Sequence, residues 1–382
     1  MQQDVFVIGG NHHNALGVIR ALGERGLRPF VIIQCEEKKP YIRRSKYIQK
    51  YWIVKSDEEV LDLLKQEGVK REQRSVLIAC ADGLSSLVDM HRDELSKWYL
   101  LPGAVELGRI TRLMDKEVMS QLAHELGFKV PQSIAVNTKE NSEISIPMPW
   151  IIKPLVSKDG KKTDIKRIFS EEEWGEYCQE HDSLVQVQQL IDKDFEYQLI
   201  GLSLNGGDEI VIPGVSHVLR PAETTNTGFL RYEPLDNQYQ SVLETGKRFL
   251  KATGYSGLFS MEFLRGRDGK DYFMEINFRN DGNGICVTAS GVNLPYIWYL
   301  YNTGGDYRNE MDRSKVKHVY VMPEFADISL LVHHKLGLKS WLKDVRRTDR
   351  FMEYDKRDKA PFWQLLKESL SRGIRKVENK II

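Results

Sequence analysis

The sequence predicts a mixed α/β and α+β fold, with a parallel-sheet domain first and a strand-rich antiparallel body after it. Three observations carry this expectation. Apolar strands alternate with helical segments through about residue 105, the pattern of an open, mostly parallel sheet. From 195 to 263 strands follow one another with a single long helix over 237–253, which reads as antiparallel α+β. Residues 260–284 then read as two strands joined by a turn at Arg267, Asp268, Gly269 and Lys270.

The first domain begins with the apolar run VFVIGG, a helix expected over 14–25 that stops at Gly26, and a second strand RPFVII. This is a β-α-β unit, and the domain is Rossmann-like. A strand over 76–80 and a helix over 84–97 continue the alternation. The loop between Gly9 and Asn14 lies at the carboxyl end of the first strand, where anions tend to bind. GGNHHNALG does not match G-x-G-x-x-G, and no acidic residue ends the second strand, so a nicotinamide cofactor is not expected. His12 and His13 read as a metal pair or, more simply, as a polar loop touching substrate or water.

A second segment opens near Leu107. A helix is expected over 115–127, then strand WIIKP over 150–154, a polar turn SKDGKK over 157–162, strand TDIKRIF, a helix over 171–179 and strand SLVQVQ over 183–188. FEYQLIGLSL, EIVIPGVSHVL and GLFSMEF are expected as strands of the third segment. The expected boundaries are 1–105, 106–190, 191–310 and a basic C-terminal segment 311–382.

Length and charge narrow the class. The chain has 382 residues, enough for two or three domains. A net charge of +1 gives no bulk signal for nucleic acid. Cys35, Cys80, Cys178 and Cys286 have neither metal-ligand nor disulfide-framework spacing. No run approaches the roughly 20 apolar residues that span a bilayer, so a soluble, cytoplasmic protein is expected.

The chemistry concentrates in the hairpin. Residues two apart on a strand share a face, so Glu275, Asn277 and Arg279 point the same way and Glu262 can lie opposite. Two carboxylates and an amide oxygen form a hard oxygen site suited to Mg²⁺, which keeps waters and takes further ligands from phosphates. Arg279 can fork onto a phosphate or carboxylate. The competing reading is an ordinary hairpin with a solvated polar face. Upstream, Lys116 follows Asp115 at a helix start, and Lys153 ends an apolar strand as a point charge for a phosphate. VQQLI over 187–191 is a strand end whose backbone can pair with an adenine edge, and Glu196 follows where a ribose could be held.

In this order and spacing the sequence resembles the ATP-grasp superfamily over most of residues 1–300, and specifically its carboxylate–amine ligase, or predicted carboligase, branch. The Asp115-Lys116 pair, WIIKP, VQQLIDKDFE, and MEF followed by MEINFRNDG carry the resemblance. GGNHHNALGVIRALGERGLRP and SKYIQKYW resemble its N-terminal pre-ATP-grasp domain. The resemblance implies a two-lobed ATP-grasp body and ATP with Mg²⁺, or Mn²⁺, as cofactors. It implies that Lys116 and Lys153 contact phosphates, that Gln188, Gln189, Leu190 and Ile191 bracket adenine, and that Glu196 holds ribose. Glu262, Glu275 and Asn277 would hold metal, and Arg279 would stabilise the transferred phosphoryl group. Phe278 stands where the family usually has Pro, Gln189 replaces a common Glu, and the 157–162 turn is more basic than usual.

The implied reaction activates a carboxylate as an acyl phosphate, which an amine then attacks. Alternatives are a carboxylating enzyme or a nucleotide binder without activity. The expected partners are a small carboxylate and a small amine, with no nucleic acid, and a homodimer by family analogy. Arg220 and Arg231 are further candidates for the acyl phosphate or acceptor, against surface ion pairs. Asn11, His12, Asp82 and His217 are candidate substrate contacts. Asp281, Gly282 and Asn283 form either an anion-binding nest for a substrate carboxylate or a helix N-cap. In the C-terminal segment, Trp363, Leu366, Leu370, Ile374 and Val377 share a helical face flanked by Lys367, Arg372, Arg375, Lys376 and Lys380. Residues 361–382 would then lie on an anionic membrane surface or, the reading favoured by amphipathic helices in general, pack on the enzyme body.

Overall fold

The structure, a computed structural model, describes residues 3–140, 144–154, 165–221 and 227–381. The expected turn over 157–162 lies outside the described residues.

A five-stranded parallel sheet forms the N-terminal domain, in the order Lys50–Val54, Phe30–Gln34, Val5–Gly10, Ser75–Ala79, Tyr99–Leu100. The strand order reverses between Val5–Gly10 and Ser75–Ala79, so the carboxyl ends of those two strands form a crevice. Helix His13–Gly23 starts there. Gly9 is required at this bend, since a Cβ would sit 3.0 Å from those of Ala15 and Cys80. The helix expected over 84–97 is two pieces, Asp82–Met90 and Arg92–Leu95.

A four-stranded antiparallel sheet follows, in the order Ser133–Asn137, Leu184–Gln189, Trp150–Pro154, Lys166–Ile168. Helix Lys116–Glu125 precedes it, begun by Asp115, whose Oδ1 accepts from the backbone N–H groups of Glu117 and Val118. Helix Glu171–Glu180 covers the sheet, and Trp150, Ile152, Tyr177, Val185 and Val187 make its core.

The largest sheet has eight strands. Its main path runs Asp271–Asn277, Gly257–Gly266, Lys193–Leu204, Gly214–Pro221, Gly228–Pro234, Val319–Met322, Arg350–Phe351. EIVIPGVSHVL, expected as one strand, is two, Glu209–Val211 and Gly214–Pro221. Pro213 stands between them and has no N–H to give to a ladder. Both faces of the sheet are buried. Along Lys193–Leu204, Ile200, Leu202 and Leu204 join a core shared with the N-terminal domain and Trp298. Tyr197 and Leu199 face the other way, into a core with Phe249, Phe263 and Phe273. From Leu199 to Leu204 the strand is therefore buried on both faces without alternation.

Strands Val319–Met322 and Arg350–Phe351 lie in this sheet, so the boundary drawn at residue 310 cuts through it. Residues beyond it also bind the first domain. Arg20, 1% exposed, donates to the Asp358 carboxylate at 3.1 Å and to the carbonyls of Met352, Glu353 and Asp358. Ser45 and the Lys46 N–H donate to the same carboxylate. Arg20→Met should destabilise the protein by about 3–5 kcal/mol, because it leaves the Asp358 charge buried without its cation. Chemical denaturation measures this, and a loss below about 1 kcal/mol would mean that Asp358 is not held as a charge.

Candidate active site

Two cavities meet at one strand. In Lys193–Leu204, alternate residues on one face step from the first cavity to the second and into the core: Glu196, Gln198, Ile200. Glu196 lies opposite Leu264 and Gln198 opposite Glu262 on the neighbouring strand.

The larger cavity, about 1060 Å³, lies between the small and large sheets. Lys153, Gln188, Gln189, Leu190, Ile191 and Glu196 all line it, so the structure gathers these positions, expected from sequence, around one space. Ile151, Phe169, Leu264 and Met274 give it apolar walls suited to a planar base. Strand Trp150–Pro154 carries Lys153, whose ammonium donates to Gln188 Oε1 at 2.7 Å. Burial and then the Lys116 charge depress the Lys153 pKa to about 8 against an opposing pull from Glu275. Two lysines and a carboxylate thus share one electrostatic neighbourhood, as a polyphosphate with a cation would require. In the free protein, nucleotide affinity should fall as pH rises through about 8, since Lys153 loses its charge there. Lys153→Arg should remove that inflection, and calorimetric titration of ATP across this range checks it; an unchanged inflection would exclude Lys153 as its source.

The second cavity, about 330 Å³, opens at the crevice of the parallel sheet. His12, Asn14, Cys80 and Asp82 come to it from the N-terminal domain, and Glu262, Glu275, Asn277 and Arg279 from the hairpin. Glu262 pairs in register with Glu275, beside a bulge between Glu262 and Phe263. Asn277 Nδ2 donates to Glu262 at 3.3 Å and Gln198 Nε2 donates to it at 3.1 Å. Burial, then the facing Glu275 and Asp281, push the Glu262 carboxyl far above the usual range. Two carboxylates facing each other out of water are stable as anions only with a cation between them. This donor set fits Mg²⁺. Among the described residues no three His, Cys, Asp or Glu side chains converge on one point, so such an ion would complete its shell with water and phosphate.

Arg279 is gripped from both sides. Its Nε and Nη2 donate to the two oxygens of Asp82 at 2.7 and 3.1 Å, and Nη1 reaches Asp281 at 3.4 Å. Burial works against its charge, but Asp281 and Asp82 outweigh that and keep it protonated. Asp281 also caps the short turn Gly282–Gly284 by accepting from the Asn283 N–H, so it is an N-cap that lines the cavity. Gly282 lets His13 approach; a Cβ there would lie 2.9 Å from His13 Nε2.

The hairpin end is fastened to the crevice by amides. Asn14 Nδ2 donates to the carbonyls of Cys80 and Asn280, both at 2.9 Å, and Asn280 Nδ2 donates to Asn14 Oδ1. The site's histidines are neutral: burial and the His13 charge lower His12 to about 3, and burial lowers His13 to about 4. Burial pushes the Cys80 thiol up to about 12, which makes it no nucleophile.

Four of the residues expected from sequence to touch substrate lie elsewhere. Arg220 is bound by Asp327 and Asp344, so its charge is consumed in a structural ion-pair cluster. His217 is packed among Phe195, Tyr197 and Tyr239 and pairs with Glu233 at 3.0 Å. Arg231 binds the same Glu233. Asn11 accepts from the Ile42 N–H. None of the four lines either cavity. Sequence reasoning missed Asn14, Gln198 and Thr227, whose side chains line the second cavity. For Gln198 a signal existed, since it sits two residues after Glu196 on the same strand face.

The fold is thus a parallel-sheet domain set against a two-lobed body, with a large cavity between the lobes and a carboxylate pair in the smaller cavity beside it. No protein-family model matches the chain. It is 24% identical over 344 residues, 81% of this chain and 79% of that protein, to a D-aspartate ligase of Enterococcus faecium. Its fold matches an L-amino acid ligase from Bacillus licheniformis with a TM-score of 0.61 at 15% identity, covering 84% of this chain and 78% of that one. It also matches the biotin carboxylase domain of the Hydrogenobacter thermophilus 2-oxoglutarate carboxylase, in complex with MgADP, ADP and bicarbonate, with a TM-score of 0.61 at 18% identity over 84% of this chain and 74% of that one. These relatives are ATP-grasp enzymes, and the chain shares their fold.

Proposed function

We propose that the protein is an ATP-dependent carboxylate–amine ligase, which forms an amide through an acyl phosphate and releases ADP and phosphate. The observation that carries this reading is the Glu262–Glu275 pair at the junction of a nucleotide-sized cavity and a small polar one. A carboxylate is a poor acyl donor until its oxygen is phosphorylated, after which an amine can displace phosphate. That chemistry needs positioning, charge neutralisation and exclusion of water rather than a covalent nucleophile.

The residues divide the work by place. Gln188–Ile191 and Glu196 line the wall where adenine and ribose would lie, and Lys116 and Lys153 supply positive charge toward the phosphates. Glu262, Glu275 and Asn277 would hold Mg²⁺, which supplies neutralisation of the phosphoryl oxygens when bound. Arg279 faces the cavity in which acyl phosphate and acceptor would meet. Asn14, Gln198, Thr227 and Asn283 offer uncharged donors and acceptors for a small polar substrate there.

The deciding experiment is coupled ADP and phosphate release with Mg·ATP against pooled small carboxylic acids and amines. ADP and phosphate formation that needs both pools supports the ligase reading. Dependence on bicarbonate in place of an amine would make it a carboxylating enzyme. Tight ATP binding with no turnover in any pool would leave a nucleotide binder.

A further inference from the structure

The C-terminal part of the chain separates charge in an unusual way. Residues 311–382 hold 17 Lys and Arg against 10 Asp and Glu, where the whole chain has 55 against 54. Six of those ten acids, Glu324, Asp327, Asp344, Glu353, Asp355 and Asp358, are buried. Several face inward cations or histidine: Asp327 and Asp344 hold Arg220, Asp355 holds Arg350, Asp358 holds Arg20, and Glu353 faces His13 at 3.5 Å. Among the described side chains, basic residues such as Lys339, Lys343, Arg346, Lys359 and Lys367 are left exposed on the outer surface.

Three helices make that surface. Glu324–Val332 and Leu338–Arg347 are tied together through Arg220, and Phe325 packs on Phe362 of Ala360–Ile381 at 5.6 Å. Each turns part of an apolar stripe to solvent. Ile328 and Val332 are spaced i, i+4 on the first, Leu338 and Leu342 i, i+4 on the second, and Trp363 and Leu370 i, i+7 on the third; all six are exposed. Val332 is 68% exposed and Leu338 61%. An amphipathic helix ordinarily hides this stripe against a core. Here the second helix does the reverse: it buries Asp344 and shows Leu338 and Leu342. Lys339 and Lys343 each follow one of the two leucines, and exposed Lys367 lies between Trp363 and Leu370.

We infer that this face docks on an anionic lipid surface, with leucine, valine and tryptophan side chains entering the headgroup boundary and lysines meeting lipid phosphates. The charge decides between occupants. A second copy would set one basic face against another, and nucleic acid would offer phosphates but nothing to cover exposed leucines. Among the described residues no helix is long and apolar enough to cross a membrane, which agrees with docking in the interface plane.

Co-sedimentation of the full chain tests this with phosphatidylcholine vesicles that contain or lack phosphatidylglycerol. Binding is expected only to the anionic vesicles and should weaken as salt rises. Lys339→Gln with Lys343→Gln should lower the partition constant by about 25-fold, taking about fivefold for each lysine. Leu338→Ser with Leu342→Ser should abolish binding, with ATP turnover and melting temperature unchanged, since these side chains are exposed and line neither cavity. Failure to bind anionic vesicles overturns the inference, as does binding that survives both double variants. A dimer by light scattering that the leucine variants dissociate would assign the face to a second copy instead.

Discussion

Glu275→Gln is expected to lower ATP turnover by about 10³-fold or more, the several kcal/mol that a lost metal-ligand charge removes from phosphoryl transfer. The fold should survive. Glu275 faces Glu262 across a strand pair, and each repels the other when both are ionised. The amide has the same shape without the charge, so the metal-free variant should melt no lower than the parent. A pH signature separates this account from a merely structural one. The folded pKa of Glu262 is raised by burial and then by Glu275. A carboxyl so raised contributes stability that is present below its unfolded pKa and lost as pH rises through the folded value. The metal-free parent should therefore lose stability as pH climbs above the ordinary carboxyl range, and Mg²⁺ should restore it more at about pH 8 than at about pH 5. Glu275→Gln should flatten that dependence. Thermal melts with Mg²⁺ and with chelator read both effects, and retained turnover in the variant would remove the metal assignment.

Arg279→Ala should reduce kcat by about 10²- to 10³-fold, the usual effect of losing one preorganised charge aimed at a transition state. It should also cost stability, because Asp281 is buried and Asp82 loses both of its charge-assisted bonds. Arg279→Lys distinguishes the two roles. Lysine keeps the charge and part of the ion pair with Asp82 and Asp281, but it cannot fork onto two oxygens. Recovery of the melting temperature with kcat still depressed would assign Arg279 to the reaction; recovery of both would leave it a structural cation.

The hairpin shows how much of the site local sequence holds. A two-residue period puts Glu275 and Asn277 on one face, but the register of Leu264 with Tyr272 and Phe263 with Phe273, carried on regularly, would set Glu262 opposite Met274; the bulge there brings Glu275 opposite it instead. Lys153 and the 188–191 strand end were legible for a similar reason, since each is defined by where an apolar strand stops. Arg220, His217 and Arg231 failed the same treatment. They lie on strands and look available in sequence, but Asp327 and Asp344 reach Arg220 from distant helices and Glu233 reaches His217 from the adjoining strand, which no local period reveals; only the Arg231–Glu233 pair, two residues apart on one strand, was open to local reading.

Local periodicity thus determined the two sheet types, the wall of the larger cavity and the shared face of Glu275 and Asn277, because alternation and strand ends are properties of a few consecutive residues. Tertiary structure alone decided three other matters. It placed Asn14 against Asn280, 266 positions apart, which fastens the hairpin end to the N-terminal domain. It gave Asp82 to Arg279 across 197 positions. It buried six acids of the C-terminal segment and left Leu338, Lys339, Leu342 and Lys343 outside. In each case the deciding term is the pairing or burial of charged and polar groups brought together by the folded chain, and that depends on distance in space, which sequence separation does not encode.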